Sequence, residues 1–262
     1  METKTTQKLI LAALAVSGTA FAQTPAPAAK APEPDYTLSY NVGVVTDYRY
    51  RGISQSRKRP ALQGGADFAH KSGFYLGTWG STINWIKDSS FPGTDAKGPV
   101  EIDLYGGYKH SINETVSFDV GGLQYWYPGN TLKNVTTANA NTFEVYGALT
   151  VAMFTLKLSD STTNLFGTPN SRNSTYLDLS ANFDLGNGFS LTPHIGSQRI
   201  RNFGTYTDYS LTVAKDWDGL VLSAGVVGTN WKSHFGAPYN LPGSGTRDLG
   251  NTALVVGLKK NF

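Results

Sequence analysis

"TYLDLSANFDL", Thr175 to Leu185, decides the architecture. Leu177, Leu179, Ala181, Phe183 and Leu185 alternate with Tyr176, Asp178, Ser180, Asn182 and Asp184. A period of two marks extended backbone with one apolar and one polar face, because successive side chains of a strand point to opposite sides. Val100, Ile102 and Leu104 against Glu101 and Asp103 repeat the pattern, as do Val116, Phe118 and Val120 against Ser117 and Asp119. From Tyr36 onward no window sustains helical periodicity. Alternation alone fits a soluble sandwich as well as a membrane barrel.

Connection lengths separate the two. Strands are expected near residues 37–50, 60–70, 73–86, 99–109, 115–127, 141–151, 154–162, 173–184, 188–200, 206–215, 219–231 and 251–262. The even-numbered connections are short: "KS", "HSINE", a break near Ala152–Met153, "LGN" and "DWD". The odd-numbered ones are mostly longer and rich in Gly, Pro, Asn and Ser, such as "IKDSSFPGTDAKG" (Ile86–Gly98) and "KSHFGAPYNLPGSGTRDLG" (Lys232–Gly250). Short turns at one end and long loops at the other predict an all-β fold, a transmembrane antiparallel up-and-down β-barrel of twelve strands. An even count puts both termini on one side, the periplasm. The break near Met153 rests on length: Asn141–Thr162 fully extended would span roughly 70 Å, over twice the ~30 Å hydrocarbon core.

The flanking sequence agrees. Lys4 and Lys8, the apolar run Leu9–Val16 and Ala20-Phe21-Ala22 form a secretory leader with an A-x-A cleavage site. Residues 1–22 are therefore read as a signal peptide, with cleavage near Ala22 and a mature chain beginning at Gln23. Residues 23–35, including "QTPAPAAKAPEP", are read as a Pro/Ala-rich periplasmic linker, and 36–262 as the outer-membrane barrel. No later stretch approaches the roughly 18 consecutive apolar residues of a membrane helix. The 262 residues include no cysteine, so neither a disulfide framework nor a thiolate metal site is available. Only 16% are charged, beside 29 glycines and 14 tyrosines, a balance suited to tightly turning strands with interfacial aromatics. The C-terminal "NTALVVGLKKNF" places Leu254, Val256 and Leu258 on one face and ends in Phe262. That ending is similar to the strand read by the outer-membrane assembly machinery in porins, with Lys260 as a departure that snorkelling accommodates.

"VVTDYRYRGISQSRKRP", Val44 to Pro60, then has a place. A nucleic-acid patch needs a soluble basic domain, which the leader and the acidic strand faces argue against. If the first strand runs to residue 50, Tyr40, Val42, Val44, Tyr48 and Tyr50 face lipid, with Tyr48 and Tyr50 in an upper aromatic girdle. Asp47, Arg49 and Arg51 then face the lumen. Arg57, Lys58 and Arg59 form an extracellular basic cluster at the mouth, suited to lipopolysaccharide phosphates. The same strand phase makes Asp67, Glu101, Asp103, Asp119, Glu144, Lys157 and Asp178 pore-lining candidates. Asp184, Asp208, Lys109 and Lys259 share that face.

"NVGVVTDYRYRGISQS", "PALQGGADFAHKSGFYLGTWGSTINW", "EIDLYGGYKH" and "DVGGLQYWYPG" together resemble the TorF family of Gram-negative porins, most strongly from Asn41 to Gly129. The resemblance implies an outer-membrane barrel with a porin role and supplies no catalytic residues.

Other chemistry finds little purchase. A serine esterase on a strand wants its His and Ser at i and i+2 near the outer leaflet. His194 and Ser197 are three apart, and His70 and Ser72 flank a short periplasmic turn. Four dispersed histidines lack metal-ligand spacing, and "PGSGTRDLG" lacks the Lys-Ser/Thr of a phosphate loop. No cofactor is expected. The expected function is a narrow passive channel for small hydrophilic solutes or ions, not an enzyme, with outer-membrane lipid and lipopolysaccharide as surroundings and no nucleic acid as partner. More acids than bases on the inner faces predict a weak cation preference, although the precursor carries a net charge of +3. A non-conducting structural or adhesive barrel and a lipid hydrolase are the alternatives.

Overall fold

The computed structural model describes residues 34–90, 92–231 and 249–262. The expected start at Gln23, nearly all of the 23–35 linker and most of the Lys232–Gly250 loop lie outside the described residues. The wall begins with β1 (Tyr36–Val45), β4 (Ala61–His70), β5 (Phe74–Thr82) and β6 (Val100–Ser111), and continues through β7 (Val116–Trp126), β8 (Thr142–Val151) and β9 (Phe154–Ser161). β10 (Ser174–Ala181) and β11 (Phe183–Gly186) form one strand interrupted at Asn182. β12 (Phe189–Ile200), β13 (Gly204–Trp217), β14 (Leu220–Thr229) and β15 (Ala253–Asn261) complete the wall. Sequential neighbours pair antiparallel throughout, and β1 pairs with both β4 and β15, with Val45 opposite Ala61 and Asn41 opposite Asn261. The described residues thus form a closed twelve-stranded antiparallel barrel, which leaves no sheet edge unpaired.

The turn near Met153 is present. Val151 pairs with Phe154 across Ala152 and Met153, and Ala152 takes φ 52° in place of the missing glycine. The turn between β13 and β14 is Asp218-Gly219, both at positive φ, the dipeptide that two-residue hairpins favour. It lies one step beyond the expected "DWD".

Outward positions carry the apolar side chains. Leu62, Leu76, Leu158, Leu177, Leu211 and Leu254 are all exposed on the outer surface, as a lipid-facing wall requires. Aromatic rings gather at the turn end, where Tyr108 lies 5.0 Å from Phe74 and 6.1 Å from Phe118, centroid to centroid. Lys260, also outward, bends its ammonium to the Asp218 carbonyl at 2.9 Å, so the departure in the final strand is relieved by snorkelling.

The apolar core sits inside the loop end of the barrel. Ile53, Trp85, Ile86, Tyr127, Leu132 and Leu249 are nearly inaccessible there. They come from the loop-end connections, which include two short helical turns, α1 (Trp85–Asp88) and α2 (Lys133–Thr136). The strand expected over 73–86 therefore stops at Thr82, where the chain turns inward.

Candidate functional site

The first strand ends at Val45, five residues before its expected end, and the chain folds into the barrel over residues 47–56 before returning to the mouth. Within them, β2 (Arg49–Tyr50) and β3 (Ile53–Ser54) form a small hairpin. Asp47 is the local reason. Its Oδ1 accepts from Ser54 Oγ at 2.5 Å and Ser56 Oγ at 3.2 Å, and its Oδ2 from Arg49 Nε at 2.6 Å. One buried carboxylate, held by side chains of its own segment, closes the loop on itself. The hairpin turns at Arg51 (φ 44°) and Gly52 (φ 78°). Gly52 is held for two reasons: its φ, and a wall so close that a Cβ would lie 2.7 Å from the Gly228 carbonyl and 2.8 Å from Asp208 Cβ.

The segment touches most of the circumference. Tyr48 donates to Glu101 on β6 at 2.7 Å and packs edge-on against Trp79 on β5. The Tyr50 and Tyr125 hydroxyls share a 2.8 Å hydrogen bond. Tyr48 and Tyr50 thus occupy the lumen rather than an outer girdle, because the chain has already left the wall. Arg49 donates through Nη1 to the carbonyls of Gly52, Leu249 and Asn251. Arg51 reaches the far wall. Its Nη2 donates to both Glu144 oxygens at 3.0 and 2.8 Å, its Nη1 to the Gln198 amide oxygen, and its guanidinium lies 4.0 Å over the Tyr176 ring centre.

Of the sequence-derived candidates, Asp47, Arg49 and Arg51 lie inside the barrel on this inserted segment and not on the wall. Asp67, Glu101, Asp103, Asp119, Glu144, Lys157 and Asp178 project inward from the strands β4 to β10. Most of these acids have fixed partners. Tyr105 donates to Asp67 at 2.5 Å, Tyr75 to Asp119 at 2.7 Å, and His194 Nε2 lies 2.5 Å from Asp178 Oδ2. Lys157 sits 3.9 Å over the Tyr146 ring centre. Gly107 makes room for this arrangement, since a Cβ there would meet the Tyr75 hydroxyl at 2.6 Å. Asp103 is buried with Oδ1 unpartnered.

The mouth cluster is altered too. Arg57 is paired with the buried Asp88 of α1, leaving Lys58 and Arg59 as the exposed cations. Burial pushes the Asp88 carboxyl above its ordinary range, and Arg57 pulls it partly back. At the opposite end, His70 Nδ1 meets Ser72 Oγ at 2.7 Å on an exposed turn.

Trp79, Tyr176 and Gln198 are absent from the sequence-derived candidates, and His194 enters them only as an esterase base whose spacing to Ser197 fails. They face a cavity of about 410 Å³, or the arginine above it, under the inserted hairpin. Their signal was available only as inward strand phase, which they share with many plain wall residues.

Comparison with solved structures places the fold. The KdgM porin in complex with disordered oligogalacturonate superimposes with a TM-score of 0.53 at 9% identity, over 86% of this chain and 98% of that one. The COG4313 outer membrane channel from Pseudomonas putida F1 gives a TM-score of 0.49 at 12% identity, over 91% and 100%. Identities this low speak to the fold alone. No curated protein matches the sequence. A family model described as "Bacterial protein of unknown function (Gcw_chp)" matches residues 28–262, and the match does not carry the TorF name. Since that match takes in the whole barrel, the chain belongs to the Gcw_chp family.

Proposed function

We propose that this protein is an outer-membrane channel for small hydrophilic solutes or ions, constricted by its own first loop. The observation that carries this reading is the lumen below the inserted hairpin. Tyr75, Tyr105, Tyr146, Asp119, Asp178 and Lys157 line it and are half-buried, not sealed off. A barrel serving only as a scaffold also has a polar interior, but one closed by side chains packed on each other; here the ionisable groups stay partly open to the lumen, as along a conducting path. The likeness to KdgM supports the barrel, and the ligand in that structure belongs to that protein. In this reading the short turns and both termini are periplasmic, the leader is removed at Ala22, and the loops face outside. Outer-membrane lipids, lipopolysaccharide and, through the strand ending in Phe262, the assembly machinery are its surroundings. The wall acids favour cations weakly.

The apolar packing at the loop end favours a second reading, a non-conducting structural barrel. Planar-bilayer recording separates the two. Discrete conductance steps from the purified protein, or from a variant whose hairpin has been released, are expected. Silence in both, with the barrel folded, would leave the structural reading.

A further inference from the structure

The cavity beneath the hairpin has the make-up of a binding site. We infer that it holds a single uncharged polyhydroxy compound of about pyranose size. This rests on the reading that solutes enter the lumen, and it names the class of solute.

The cavity of about 410 Å³ falls within the roughly 300–1,000 Å³ of small-molecule sites. Its floor plan is amphipathic. Val45, Val227 and Val255, on adjacent strands β1, β14 and β15, make an apolar strip. Trp79 flanks one side of the strip and Ser210 and Asp208 the other. The Asp47–Gly52 stretch of the inserted segment borders the same space. A pyranose has the same division, with C–H faces that pack on an indole or aliphatic surface and a rim of hydroxyls.

Charge selects against ionic solutes. The formal charges of Asp47, Arg49, Arg51 and Asp208 cancel, and each charged group already has a partner: Arg49 with Asp47, Arg51 with Glu144, Asp208 with the Tyr176 hydroxyl at 3.1 Å, and the lining His194 with Asp178. A charged solute would find no uncommitted counter-charge there. Hydroxyls both donate and accept, which matches the Gln63 amide and the Ser210 hydroxyl that line the cavity beside the Asp208 carboxylate.

The test is calorimetric titration of the detergent-solubilised full chain with D-glucose, D-galactose and D-mannose, and with D-glucuronate and D-glucosamine as charged analogues of the same ring. At least one neutral hexose should bind in the millimolar range, the charged analogues about tenfold more weakly. Trp79→Ala and Ser210→Val should each weaken hexose binding, the former by about tenfold, while the outward Trp217→Ala leaves it unchanged. Heat-modifiable gel migration shows which variants hold a folded barrel. If Trp79→Ala does not fold, Ser210→Val carries the test. No binding of any neutral hexose, equal binding of a charged analogue, or wild-type affinity in the folded cavity variants overturns the inference. Conductance measured separately keeps the two readings apart. A conducting protein that ignores hexoses refutes this site and spares the channel, whereas hexose binding without conductance does the reverse.

Discussion

Arg51 is the contact through which the inserted hairpin holds the far wall, so Arg51→Ala is the sharpest perturbation of the closed state. The substitution removes a two-pronged ion pair to Glu144, a bond to Gln198 and the stacking on Tyr176. Glu144 is itself only 3% exposed and would keep the Tyr125 hydroxyl at 3.4 Å as its remaining partner. Stranding one member of a buried pair costs about 3–5 kcal/mol. At about 1.4 kcal/mol per factor of ten, that shifts the balance between inserted and withdrawn hairpin by roughly 10²-fold to several thousandfold. Tyr48 on Glu101 and the Asp47 staple still act, so the segment loosens from the far wall while its own hairpin persists. Single-channel recording at fixed voltage reads the shift as longer or more frequent openings. Glu144→Gln should have a smaller effect, because the amide oxygen still accepts one N–H from Arg51. The double variant should fall short of the sum, since it leaves no stranded carboxylate. Identical conductance in wild type and a folded Arg51→Ala protein would refute the argument that this pair controls the path.

Three further outcomes are expected. Gly52→Ala should push the hairpin off β13 and β14, since its φ of 78° and the 2.7 Å approach to the Gly228 carbonyl leave no room; the cost is about 1–3 kcal/mol, read as increased opening in the same bilayer assay. Under a KCl gradient, the hairpin-released variant should show a reversal potential favouring potassium, reduced by Asp119→Asn; clear chloride preference would assign control to Lys58 and Arg59 at the mouth. A single cysteine at Gly93 should react with an impermeant thiol reagent on intact cells, and one at Asn113 or Asn187 should not, there being no native cysteine; the opposite pattern would invert the proposed orientation.

The wall was legible because its pattern answers to two solvents at once. Thr175–Leu185 alternates, and Leu177, Leu179 and Leu185 do lie exposed on the outside. The β8–β9 turn was legible from reach alone, although no glycine marks it, since no single strand could have run through Asn141–Thr162. Helical turns such as Trp85–Asp88 were not, because four residues carry too little periodicity to register.

The inserted segment escaped for a more instructive reason. Tyr48-Arg49-Tyr50-Arg51 keeps the period of β1, and period two records only that neighbouring side chains part ways, not what lies on either side. On the wall the two directions are lipid and lumen. In the hairpin they are two parts of the lumen's interior, so tyrosines that alternation sends to a girdle instead donate to Glu101 and share a bond with Tyr125. What distinguishes the cases is the polar local chemistry that follows, Asp47 answered by Ser54 and Ser56 across Gly52, which gives the chain a closed turn instead of a ladder partner. The same geometry revises the electrostatic reading. Asp47 and Arg49 cancel within the segment, and Arg51 and Glu144 cancel across the lumen. A permeating ion would therefore meet Asp67, Asp119, Asp178 and Asp184 against Lys109, which is the cross-strand neighbour of Asp119, Lys157 and Lys259, a narrow excess of acid. The proposed cation preference would rest on that excess, and it should strengthen when Lys157 is replaced by Gln while Arg49→Gln leaves it nearly unchanged.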